Sequence, residues 1–85
     1  MKVVYADEFR KMFDKLPEKI QTLYRVQEEI FRSSSHDSRL HLKKLKGHPI
    51  VFSFRITRAY RALFCFVERD TALMITIGHR KDVYR

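Results

Sequence analysis

The sequence predicts an α+β domain: two N-terminal helices packed on one face of a mainly antiparallel sheet, in the order β-α-α-β-β-β. Three observations carry this. Residues 51–57 read V-F-S-F-R-I-T, an alternation of period two in which Phe52, Phe54 and Ile56 point one way and Ser53, Arg55 and Thr57 the other. Residues 60–67, Y-R-A-L-F-C-F-V, are apolar on both faces, as a central strand is, with Arg61 as the sharp exception. Upstream, Phe9, Met12, Phe13 and Leu16 recur at helical spacing.

Taken in order, Lys2 to Tyr5 is a short apolar run and reads as a strand. A helix follows from Asp7 to Leu16, with Asp7 and Glu8 at the positive end of its dipole. Pro17 opens a second helix at its first turn. Ile20, Leu23, Tyr24, Ile30 and Phe31 form its apolar stripe, which Gln27 interrupts. The S-S-S-H-D-S run over 33–38 is a loop. The segment R-L-H-L-K-K-L-K-G then interleaves leucines with cations, so it anchors through the leucines and lifts its basic groups to one side. Gly47-His48-Pro49 is a turn, and Thr57-Arg58-Ala59 a tight antiparallel connection between the hairpin strands. After a turn at Glu68-Arg69-Asp70, the last strand runs from Thr71 to Ile77, with Leu73, Ile75 and Ile77 on one face and Ala72, Met74 and Thr76 on the other. The sheet face away from the helices is expected to stay open and to carry Arg55 and Arg61.

Eighty-five residues suit one small domain with one modest core, spanning 1–85. A single cysteine, Cys65, excludes an internal disulfide and points to the cytoplasm, where it serves as a small core residue. No apolar run reaches membrane-spanning length, so no membrane partner is expected. No carboxylate cluster or Cys/His set has metal-ligand spacing, so no metal and no small-molecule cofactor is expected. His36, His41 and His48 read as loop residues.

Charge is unevenly placed. The net charge is +8. Residues 1–33 hold seven basic and six acidic side chains, whereas residues 34–85 hold eleven basic and four acidic ones. The strand half therefore carries +7 and the positive field. A polyanion is the natural partner: RNA, DNA or an acidic protein segment. An arginine such as Arg61, at the start of an otherwise buried strand, is costly unless its head reaches water or an anion. A salt bridge to Glu68 or Asp82 is the structural alternative for it.

The pieces L-K-K-L-K-G before the hairpin, F-R-I-T-x-x-Y-R-A-L-F across it and I-G-H-R-K-D-V-Y-R after it, in this order and spacing, resemble the RelE/ParE toxin superfamily of bacterial toxin–antitoxin modules over nearly the whole chain. The resemblance implies the same α+β fold. It also implies a type II toxin neutralised by a cognate antitoxin. For RelE-like members it implies a ribosome-dependent endoribonuclease that cuts mRNA in the A site and so inhibits translation. Residue by residue, Arg61 matches the family's catalytic strand arginine, Arg80 the arginine after the last strand and Tyr84 the functional tyrosine near the terminus; His79 stands where some relatives have lysine. Two departures matter. RelE-like members carry lysines along the first hairpin strand, where this chain has Phe52 and Phe54 and offers only Arg55. The glutamate that YoeB-like members use before the hairpin is absent.

The chemistry agrees with those positions. Metal-free RNA cleavage uses the ribose 2′-hydroxyl to attack the adjacent phosphate, and it needs a proton acceptor, a proton donor and cations for the added negative charge. Arg61 and Arg80 can bind phosphate bidentately and stay charged at any working pH. A histidine such as His79 can act as acid or base, and Tyr84 can orient the 2′-hydroxyl, stack on a base or carry a proton. Each also has a plain reading, as a surface histidine and as a packed terminal aromatic. Lys43, Lys44 and Lys46, with Arg55, Arg58, Lys81 and Arg85, suit contacts to rRNA or mRNA backbone. The rival readings are a ParE-like inhibitor of DNA gyrase that cuts no RNA, and a non-catalytic basic binding module.

Overall fold

A computed structural model of the chain describes residues 1–84; the expected RNA-binding residue Arg85 lies outside them. The elements run β1 (Lys2–Tyr5), α1 (Asp7–Asp14), α2 (Glu18–Ser33), a 3₁₀ turn (Ser38–Leu40), β2 (Lys43–Lys44), β3 (Phe52–Arg55), β4 (Tyr60–Glu68), β5 (Thr71–His79) and α3 (Arg80–Val83). The strands form one sheet in the order β1-β5-β4-β3-β2. It is antiparallel except where β1 lies parallel to β5. The expected α+β layout holds, with three additions that sequence periodicity did not show: the 3₁₀ turn, the two-residue strand β2 at the sheet edge and the one-turn helix α3. No helix among the described residues is long and apolar enough to cross a membrane.

The core lies between α1–α2 and the near face of the sheet. Phe31, Phe54 and Phe64 are fully buried, with ring centroids 4.8–5.8 Å apart. Tyr24 stacks on Phe54 at 5.9 Å and meets Phe9 at 5.4 Å, joining both helices to β3. Burying aromatics of this size supplies the main stabilisation available to so small a domain. Gln27, which breaks the apolar stripe of α2, has a definite task. Its side-chain amide donates to the Arg39 carbonyl at 3.1 Å and the Arg55 carbonyl at 2.7 Å, tying the helix to the 3₁₀ turn and to the end of β3.

Glu28 forms a second hub. Its Oε1 accepts from the Tyr5 hydroxyl at 2.5 Å and the Tyr24 hydroxyl at 2.8 Å, while Oε2 accepts from Arg32 Nε at 3.0 Å. Burial, reinforced by the adjacent Glu28 carboxylate, pushes both phenols above their ordinary range. They stay protonated and act as donors.

Strand β5 departs from strict alternation. Ala72, Met74 and Ile77 are the buried residues that face the helices, so the expected grouping of Leu73 with Ile75 and Ile77 is corrected. The cause is a register shift between β4 and β5 opposite Leu63 and Phe64. Thr76 pairs with Leu63 and Met74 with Phe64, leaving Ile75 as the extra residue of a bulge. A bulge reverses the face parity of everything beyond it.

Candidate active site

The far face of the sheet is laid out in rows. Because Phe54 and Phe64 point into the core, their neighbours Ser53, Arg55 and Leu63 point the other way, as does Arg61. Register then sets Arg55 directly opposite Arg61, with Gly78 of β5 next in the same row. The adjacent row on this face holds Lys43, Ser53, Leu63 and Thr76, from β2 to β5. The hairpin thus brings two guanidinium-bearing side chains side by side, one strand spacing apart.

Neither arginine is neutralised. Among the described residues the ion pairs are Glu28–Arg32 and Asp37–Arg39, neither of which includes Arg55 or Arg61, and neither Glu68 nor Asp82 bridges to Arg61. The Nε atoms of both Arg55 and Arg61 are buried and have no hydrogen-bond partner among the described residues. A pair of buried cationic donors with no acceptor is a standing demand for an anion.

The tail after β5 does not leave this face open, as the sequence suggested, but folds back over it. Three contacts seat it. The Arg80 amide donates to the Ala59 carbonyl at 2.7 Å, clamping α3 to the β3–β4 connection. Val83 packs over Gly78, where an added Cβ would come within 3.3 Å of a Val83 methyl; the bare glycine makes room for it. The Tyr84 hydroxyl then donates to Ser53 Oγ at 3.0 Å, two strands away from β5. A groove of 240 Å³ runs beside this bond, lined by Lys43, Lys44, Leu45, Lys46, Ser53 and Tyr84.

The residues singled out from sequence therefore fall into three groups. Arg55, Arg61, Lys43 and Tyr84 share the far face. Lys44 and Lys46 line the groove at its edge, and Arg58, Arg80 and Lys81 are exposed on the hairpin connection and α3. His79 stands apart. It pairs with Tyr60 in the register that faces away from Arg61, and its ring meets the Tyr60 ring edge-on at 5.5 Å. Its Nδ1 accepts from the Lys81 amide at 3.2 Å, capping α3. The structure gives His79 a tail-positioning contact and does not bring it to the arginine row. Ser53 and Gly78 were not singled out from sequence. The available signal was parity: Ser53 shares a face with Arg55 two residues on. Among the described residues no group of three His, Cys, Asp or Glu side chains comes together to hold a metal.

No protein-family model and no curated protein sequence matches this chain. Solved structures do. The RelB–RelE antitoxin–toxin complex from Methanococcus jannaschii matches with a TM-score of 0.76 and 26% identity, over 95% of this chain and 94% of that one. The RelBE2 toxin–antitoxin complex from Mycobacterium tuberculosis matches with a TM-score of 0.68 and 28% identity, over 95% and 92%. A YoeB/ParE toxin from Agrobacterium tumefaciens matches with a TM-score of 0.79 over 94% and 99%, at 14% identity, a likeness of fold alone.

Proposed function

We propose that this chain, whose fold matches those of RelB–RelE and RelBE2 complexes, is a RelE/ParE-type toxin of a toxin–antitoxin pair and acts as a metal-independent endoribonuclease on mRNA held in the ribosome. Its partners on this reading are a cognate antitoxin protein, the ribosome and mRNA, in the cytoplasm. One observation carries the nuclease reading: the Arg55–Arg61 pair, with both Nε donors buried and unpartnered among the described residues. A scissile phosphate supplies the acceptor they lack.

The chemistry follows from that placement. The ribose 2′-hydroxyl gives up its proton to water as its oxygen attacks the adjacent phosphorus, the bond from phosphorus to the 5′-oxygen breaks, water returns a proton to that oxygen, and the products are a 2′,3′-cyclic phosphate and a free 5′-hydroxyl. Arg61 and Arg55 hold the equatorial oxygens, where negative charge grows in the transition state. Tyr84, across the groove, orients the 2′-hydroxyl. Arg80 supplies a further cation from α3. Lys43, Lys44, Lys46, Arg58 and Lys81 form the docking field for RNA backbone.

Ribosome dependence follows from how little else is present. Among the described residues, no carboxylate stands in the arginine row to serve as a strong base. In-line geometry must then come from the substrate, and a strand already fixed in a ribosomal site supplies it; well-oriented reactants can save about 7–11 kcal/mol of barrier. The test compares cleavage of one transcript free and ribosome-bound, with gyrase supercoiling measured alongside. Fast cleavage on the ribosome and slow cleavage off it is expected. Equal rates overturn the ribosome requirement. No cleavage together with inhibited gyrase would overturn the nuclease reading in favour of the ParE-like one.

A further inference from the structure

Among the groups assigned to cleavage, Tyr84 has little to hold it. It is 42% exposed and follows a helix of four residues, too short to persist without tertiary support. The contacts that seat the tail fix its beginning and middle: the His79 cap, the Arg80 amide and Val83 over Gly78. None of them touches the phenol. Among the described residues the hydrogen bond that engages the phenol is the one to Ser53 Oγ.

Ser53 is an odd residue for its place. It is 1% exposed and is the buried polar residue of the described core, in a strand position that would gain from an aliphatic side chain. The Tyr84 hydroxyl is the partner that makes the buried hydroxyl tolerable. Two residues on in the same strand, and on the same face, is Arg55. The serine thus stands one row from the arginine pair and beneath the tyrosine.

We infer that Ser53 is a positioning residue, whose buried hydroxyl aims the Tyr84 phenol at the phosphate held by Arg55 and Arg61. The inference rests on the nuclease reading and adds a residue to it. With its proton engaged by Ser53, the phenol oxygen keeps its lone pairs for the ribose 2′-hydroxyl. Rigid β3 thereby lends its precision to a tail that has little of its own.

The experiment is a double-mutant cycle on single-turnover cleavage of ribosome-bound mRNA, with Ser53→Ala, Tyr84→Phe and both together. One neutral hydrogen bond corresponds to about a two- to tenfold change in rate, so Ser53→Ala should slow cleavage by that factor. Its ribosome affinity and melting temperature should match the wild type, because exposed Tyr84 turns to water when its partner is lost. In the Tyr84→Phe background, Ser53→Ala should cost nothing further. An equal loss in both backgrounds would make Ser53 merely structural and overturn the inference, as would wild-type rates for Ser53→Ala. A wild-type protein that fails to cut ribosome-bound mRNA overturns the nuclease reading itself, and the inference with it. An active wild type with uncoupled variants overturns the inference alone.

Discussion

Replacing Arg55 by methionine should make the protein more stable and less active. The two arginines face each other in register, and like charges directly opposite on an antiparallel pair are destabilising by roughly 0.2–1 kcal/mol. Arg55 also buries an Nε donor with no partner among the described residues, a feature that costs about 1–3 kcal/mol when the group is fully cut off from water. Arg55 is only half-buried, so the low end of both ranges applies, and their joint relief comes to about 1 kcal/mol. Methionine keeps the aliphatic stem. The bond from Gln27 to the Arg55 carbonyl belongs to the backbone and survives. For a domain of this size, 1 kcal/mol raises Tm by about 4–8 °C. Cleavage should fall by on the order of 10², as when one preorganised charge donor is removed. The assay is a thermal melt at low ionic strength beside ribosome-dependent cleavage. Sulfate sharpens it: at ten times its Kd, a bound anion stabilises the wild type by about 1.4 kcal/mol, and Arg55→Met should lose most of that. A variant that melts below the wild type without added anion would refute the reasoning, since the pair would then be held by attraction rather than strained by repulsion.

Three further outcomes are expected. Changing Lys43, Lys44 and Lys46 together to glutamine should weaken ribosome binding and flatten its salt dependence by up to about one slope unit per lost phosphate contact, measured by pelleting across a salt series; an unchanged slope would remove these lysines from the interface. Phe31→Ala deletes the ring that Phe54 and Phe64 pack against, and it should cost about 3–5 kcal/mol in urea denaturation, enough to leave a domain this small largely unfolded; a shift below about 1 kcal/mol would mean that the core repacks around the gap. Asp37 caps the 3₁₀ turn and pairs with Arg39, whose guanidinium and amide lower its pKa from 3.8 to about 2. A depressed carboxylate pKa means the opened turn binds the proton more tightly. The stabilisation is therefore complete above about pH 4 and lost as pH falls through about 2. Amide exchange at Arg39 and Leu40 should speed up over that interval, and no acceleration would show that the pair does not hold the turn closed.

What the sequence discloses is governed by range. The hairpin is legible because period two in 51–57 is a local pattern, and the arginine row follows once a tight turn fixes which residues face each other. The helices are legible from their stripes, although Gln27 shows that a polar break in a stripe can be a long-range anchor rather than noise. Strand β2 is too short for any period to register. The bulge at Ile75 leaves no mark in composition, so face parity along β5 was misassigned beyond it. That parity decides the site, because it puts Gly78 beside Arg61 and turns His79 away toward Tyr60. The Tyr84–Ser53 bond joins residues 31 apart, beyond the reach of any window of periodicity. The resemblance to the superfamily supplied the tail residues but not their geometry.

The parallel pairing of β1 with β5 has a consequence for the order of assembly. Lys2 finds its partner at Thr71 and Tyr5 at Met74, so the strand synthesised first has no edge to join until the strand synthesised last has appeared. Loop closure over nearly the whole chain is slow, and such pairings place a fold toward the millisecond-to-second end of folding times. The helical pair and the hairpin can form from near neighbours, while β1 waits with Val3 and Val4 uncovered. The arginine row needs only the hairpin, but Tyr84 follows β5 in the chain and docks across a completed sheet. The proposed site is thus incomplete until β5 and the tail have emerged, and pulse-labelled exchange should find β1 and the tail protected in the same final phase.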